Sequence, residues 1–193
     1  MTQKNLPVVR FPYKGKSSFT PSEKKVLKKL SEAAEAIASI YKTQENRINN
    51  GANFYPRDAT KEEILAAYKK DHSILSPYTL VERKNKKLVA TPYHVKYKKE
   101  LQKVASLIRE AAKLSDNADF ASRLELQASA LLNGNYEASD IYWLSLKPYK
   151  INFVIGPIER YEDKLFFKKC AYQSWLGIMN SQKTIDANKF KDY

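Results

Sequence analysis

The chain has 193 residues, enough for one domain with a sizeable core, and a formal net charge of +13 from 34 Lys and Arg against 21 Asp and Glu. Its aromatic content of 12%, including 13 tyrosines, excludes a disordered chain, and no run of about 18 apolar residues exists to span a membrane. Cys170, the sole cysteine, excludes an internal disulfide, and residues 1–10 lack the apolar centre of a secretion signal, so the cytoplasm is the expected location.

Residues 1–19 read as an extended lead-in, because Pro7 and Pro12 block regular helix. Thr20-Pro21-Ser22-Glu23 then combines an N-cap threonine, a proline at the first helical position and a capping-box glutamate. Val26, Leu30, Ala33, Ile37 and Tyr41 follow at helical spacing, and Asn50-Gly51 supplies a stop. A second capping box, Thr60 to Glu63, opens a shorter helix over Ile64, Leu65 and Tyr68, broken by Ser76-Pro77. Two β-prone runs within residues 79–91 flank Lys84-Asn85-Lys86 and predict a hairpin.

Residues 97–114 return to helix, with Leu101, Val104, Ala105, Ile108 and Ala112 on one face. Another helix is predicted over residues 119–132, ended by Asn133-Gly134-Asn135. A short amphipathic segment around Ile141, Tyr142 and Trp143 precedes Pro148. Residues 151–155 form a compact β-run that Gly156-Pro157 is expected to stop, and residues 165–179 read as a final apolar helix. The fold class is therefore helix-rich α+β. Residues 20–180 are expected to form a single domain, with a polar tail over 181–193.

A zinc site needs three or four His, Cys, Asp or Glu ligands at close spacing. His72 and His94 lie far apart, and neither H-E-x-x-H nor C-x-x-C occurs, so no metal ligand is assigned in this chain. Cys170, beside Ala171 in the predicted last helix, reads as a buried apolar thiol. Basic residues crowd 4–29 and 83–103. Such a field favours polyanions, but no zinc-finger spacing or RNA-binding signature accompanies it, which leaves a solvated lysine surface as the plainer reading.

The run Ile155-Gly-Pro-Ile-Glu-Arg-Tyr-Glu-Asp163 is the richest in chemistry. Glu159 and Tyr161 would share one side of an extended chain. A carboxylate and a phenol so placed can hold an ammonium group and donate to a developing oxyanion. The alternative is that Glu162 and Asp163 favour the start of the following helix while Tyr161 packs.

Four stretches in order resemble the dipeptidyl peptidase III family of zinc exopeptidases, and bacterial members in particular. They are residues 53–63, residues 76–83 with 88–93, residues 136–143 and, strongest, residues 155–163 running on to Leu165-Phe166 and Lys168. The resemblance implies the N-terminal part of a longer two-lobed enzyme that releases dipeptides from peptide N-termini, ending before the zinc motif H-E-x-x-x-H. It implies that Glu159 binds the substrate's terminal ammonium and that Tyr161 stabilises the tetrahedral intermediate. No cofactor is then expected in this chain, while zinc is implied for a full-length relative. Two positions depart from the family: Arg160 stands in place of a small hydroxyl residue, adding a cation beside the ammonium site, and Phe167 in place of glycine.

Three readings follow. The first is an incomplete metallopeptidase, from a truncated or split gene, inactive as this chain alone. The second is a basic protein that binds nucleic acid or another polyanion. The third is a partner for a separately encoded catalytic half.

Overall fold

The structure, a computed structural model, describes residues 18–45, 52–180 and 183–184. Most of the expected lead-in, the Asn50-Gly51 stop and most of the tail lie outside these residues.

Helix α1 (Pro21–Gln44) starts on the expected capping box. Thr20 Oγ1 accepts the Glu23 N–H at 3.1 Å, and Glu23 Oε2 accepts the Thr20 N–H at 2.8 Å. Its buried stripe is Val26, Leu30, Ala33, Ile37 and Ile40, and it ends on a polar residue, Gln44. Tyr41, expected on the stripe, stands beside it, half-buried, and Ile40 takes the inward place.

α1 packs along α4 (Lys98–Leu114), and α4 along α5 (Ala118–Asn133). Leu101, Val104, Ala105 and Ile108 of α4 meet Leu124, Ala128 and Leu131 of α5 in one apolar cluster. Burying a leucine such as Leu101 fully contributes about 2–3 kcal/mol. α5 stops at Gly134, whose φ of 76° is left-handed and whose N–H reaches Ala130 O at 2.8 Å. A Cβ at Gly134 would stand 2.5 Å from His94 Nδ1, so this position needs glycine twice over.

The predicted hairpin is present as β1 (Thr79–Lys84) and β2 (Lys87–Pro92) in antiparallel register. Its two turn residues, Asn85 and Lys86, have φ of 48° and 62°, the pattern of a type I′ turn. Helix α2 (Lys61–Tyr68) begins with Thr60 Oγ1 accepting the Glu63 N–H at 3.2 Å. Glu63 does not close a box. Its carboxylate instead takes a two-pronged bond from Arg83 of β1, at 2.5 and 2.8 Å. A short 3-10 turn (His72–Leu75) precedes the hairpin, and α3 (Tyr93–Lys96) follows it.

Helix α6 (Glu137–Ser145) is longer than the amphipathic segment expected there. Beyond it, two expectations fail. The strand β3 (Ile151–Glu159) runs straight through Gly156-Pro157. Pro157 lacks an N–H, but the ladder is already irregular between Pro157 and Glu159, where a bulge tolerates it. Residues 165–179 do not form a helix: residues 164–170 turn, and Ala171–Ile178 is strand β4, antiparallel to β3. Tyr172 is buried while Trp175 and Gly177 are exposed, a period nearer two than 3.6.

The sheet rests on α1 through Ile151, Phe153, Ile155 and Tyr172. α5 covers the far edge of β3. Arg123 donates to Asn152 Oδ1 at 2.8 Å and to the Phe153 carbonyl, and Gln127 Nε2 donates to Ile155 O at 2.6 Å. Among the described residues, no helix is long and apolar enough to cross a membrane.

Candidate functional site at the end of strand β3

The β3–β4 connection is built around two buried charges. Asp163 is fully buried. Its Oδ1 accepts the N–H groups of Leu165 and Phe166, both at 3.2 Å, and its Oδ2 those of Lys168 and Lys169, both at 3.0 Å. Tyr55 donates its O–H to Oδ2 at 3.1 Å. One carboxylate thus satisfies the backbone of the whole turn.

Lys169, equally buried, sends its Nζ to Ile74 O at 2.6 Å, Ser76 O at 3.0 Å and Thr79 Oγ1 at 2.7 Å. Burial pulls this amine down to about 7, against the opposing charge of Asp163. Three acceptors for three ammonium hydrogens tie the connection to the segment before β1. The Cys170 N–H to Pro77 O bond, 2.9 Å, reinforces it. From the other side α1 holds the same region: Tyr41 donates to Glu162 Oε1 at 2.7 Å, and Gln44 Oε1 accepts the Tyr172 N–H at 2.8 Å.

This frame positions the two residues singled out in the sequence. Glu159, the last residue of β3, is 6% exposed. Its Oε1 accepts the N–H groups of Tyr161 and, at 3.1 Å, Glu162, while its Oε2 is buried with no partner. Burial pushes the carboxyl up to about 7, the nearby Glu162 charge adds to the shift, and the two backbone N–H groups oppose it. Tyr161 is 58% exposed. Its phenolic oxygen accepts from Gln173 Nε2 at 2.5 Å, and Gln173 Oε1 accepts from Trp175 Nε1 at 3.3 Å.

The shared extended face expected for Glu159 and Tyr161 is not formed, because the strand ends at Glu159 and the chain turns. The carboxylate folds back beneath the Tyr161 N–H while the phenol stands out toward solvent. Nor does Asp163 serve a helix start: no helix follows, and its oxygens gather the turn instead.

Arg160, expected beside the ammonium site, lies against the Cys170 thiol and lowers its pKa, opposing the burial that pushes it up. The charge acting on Glu159 is that of Glu162. Cys170 is buried, as expected, but directly precedes β4 and does not sit in a helix. Phe167 has φ of 55°, the left-handed region where glycine is the easy residue.

The sequence reading missed Gln173 and Trp175, which it placed on a helix, and the pairing roles of Tyr55, Asp163 and Lys169. Two lysines, Lys168 and Lys169, set between Phe166-Phe167 and Cys170-Ala171 are the local signal for the buried cation, which is Lys169.

The zinc implied by the resemblance does not fit the residues here. Among the described residues, no three His, Cys, Asp or Glu side chains gather closely enough to hold a metal ion. His72 packs against Tyr68 with ring centroids 4.9 Å apart and planes tilted by 50°, and His94 packs against Gly134.

The geometry has close counterparts. The structure of DPP III from Caldithrix abyssi superposes with a TM-score of 0.85 at 29% identity, covering 91% of this chain and 43% of that one. The structure of dipeptidyl-peptidase III from Corallococcus sp. strain EGB gives a TM-score of 0.83 at 26% identity, covering 90% of this chain and 42% of that one. Nudix hydrolase 3 of Arabidopsis thaliana is 27% identical over 168 residues, covering 74% of this chain and 22% of that protein. This chain therefore spans less than half the length of each of these relatives. The sequence matches Peptidase family M49 over residues 2–192, and the chain belongs to that family.

Proposed function

We propose that this chain is the peptide-amine-binding part of a dipeptidyl-peptidase-III-like hydrolase, equivalent to the N-terminal portion of such enzymes, and that it does not cleave peptides by itself. The observation that carries the reading is Glu159: a carboxylate held at a strand end, with one oxygen committed to the backbone and the other buried without a partner. An unpaired buried acceptor costs about 1–3 kcal/mol, more when charged, and a substrate ammonium would remove that cost. Two residues on, the Tyr161 phenol faces outward, where it can donate to an oxyanion forming on the same peptide. The metal that would polarise that carbonyl belongs, in this proposal, to a further segment of the enzyme, and the protein works in the cytoplasm.

Calorimetric titration of a short peptide with a free amino terminus, against its N-acetyl form, tests the site. At pH 7.5 the free amine binds and the acetylated peptide binds at least about tenfold more weakly, as for a lost bond between charged groups. Glu159→Gln abolishes the difference. Equal affinity for the two peptides in the parent chain would sink the assignment. Release of naphthylamine from a dipeptidyl-naphthylamide by the purified chain would overturn the inactivity.

A separately encoded catalytic half is the second reading. It is favoured by Ile141 and Leu144 of α6, which project into solvent, Leu144 at 80% exposure.

A further inference from the structure

We propose that Gln173 is a positioning residue for Tyr161, and that the Trp175–Gln173–Tyr161 chain fixes which way the phenolic hydrogen points. An indole N–H donates and cannot accept. Trp175 Nε1, 3.3 Å from Gln173, therefore requires the amide oxygen on its side. That settles the amide orientation: the amide nitrogen faces Tyr161, 2.5 Å from the phenolic oxygen, and donates to it. The phenol accepts from Gln173, so its own hydrogen is left free for a third party. In the opposite amide orientation the phenol would donate to Gln173 and have no hydrogen to offer a substrate.

The placement follows from β4. Gln173 and Trp175 are two residues apart on one strand, so their side chains share a face. The register sets Gln173 opposite Gly156, which carries no side chain of its own. Polarisation along the chain runs from indole to amide to phenol, which makes the phenol a better donor.

The role rests on the reading of Tyr161 as an oxyanion donor; the geometry does not, and the two are tested apart. In the 15N-labelled chain only Trp143 and Trp175 contribute indole signals, and Trp175→Phe assigns them. Gln173→Met moves the Trp175 indole proton upfield, and Tyr161→Phe moves the Gln173 side-chain amide signals to the position of a solvated amide. Unmoved Gln173 amide signals in Tyr161→Phe overturn the proposal.

The second arm titrates a free-amine peptide phosphinate, whose anionic oxygen stands in for the oxyanion. Gln173→Met and Tyr161→Phe each weaken it about three- to tenfold, as for one neutral hydrogen bond. The double variant is no weaker than Tyr161→Phe alone, since Gln173 acts only through that phenol. Additive losses would overturn the chain of donors. Moved amide signals with phosphinate binding indifferent to Tyr161→Phe would leave Gln173 orienting a phenol that does not serve the oxyanion, and would remove its positioning role together with the reading of Tyr161.

Discussion

Phe167 shows how a single backbone angle is priced. Its φ of 55° costs an L residue about 1–2 kcal/mol, and its ring, 60% exposed, gains little burial in return. Phe167→Gly is expected to stabilise the fold by about 1 kcal/mol, read as a higher chemical-denaturation midpoint. Lys169→Met should do the reverse. It leaves Ile74 O without its Lys169 partner and removes the cation whose charge Asp163 feels, at a cost of about 1–3 kcal/mol. Glu159 carries a pH signature. Its folded value of about 7 lies above the ordinary 4.5, so the folded protein favours the protonated form. That stabilisation is complete below about pH 4.5 and is lost as pH rises through 7. Thermal melts of Glu159→Gln should therefore show a gain over the parent at pH 8 and none at pH 4. For the proposed binding of a peptide amine the sense is opposite: the carboxylate must be ionised and the peptide amine, near 8, protonated. Affinity should peak between about pH 7 and 8 and fall on either side.

At the level of elements, the hairpin offers a direct check on turn chemistry. Lys86 sits at φ 62° in a two-residue turn after Asn85. Lys86→Gly completes the favoured Asn-Gly pair and should raise stability by about 1 kcal/mol, measured by denaturation. This hairpin, the capping box of α1 and the Gly134 stop were all legible, because each is written within a few neighbouring residues. The β3–β4 pair was not. Residues 171–178 hold Tyr172, Trp175, Leu176 and Ile178 in an apolar run too short for its period to separate strand from helix. What decides is a partner strand about 20 residues earlier, which local propensity cannot see. The same ambiguity conceals the site's support: on a helix over 165–179 Gln173 has no reason to lie near Tyr161, whereas strand β4 brings it there. Glu159 and Tyr161 stand out in the sequence as a carboxylate and a phenol two residues apart, and resemblance implies their roles, while their orientation, one inward and one outward, follows from a chain reversal that spacing alone does not predict.

The whole molecule spans 43% of a solved relative, yet its helices and sheet share one buried cluster. The proposed division of labour predicts that the remainder of such an enzyme seats on α6, where Ile141 and Leu144 are exposed. Leu144→Lys should leave folding stability within about 0.5 kcal/mol, as exposed substitutions do. It should also abolish retention of a separately expressed M49 catalytic segment on the immobilised chain; undiminished retention would place the contact elsewhere.

The bonds that hold the Glu159 turn join residues 121, 128 and 108 positions apart in sequence. Such distant closures are slow, and the Gln44–Tyr172 bond waits on strand β4 to be made. During synthesis the three long helices can condense while Gln44 and Tyr55 still have nothing to hold. Residue 178 must leave the ribosome before strand β4 is complete, so the dry corner around Glu159 closes only after the three long helices have been made.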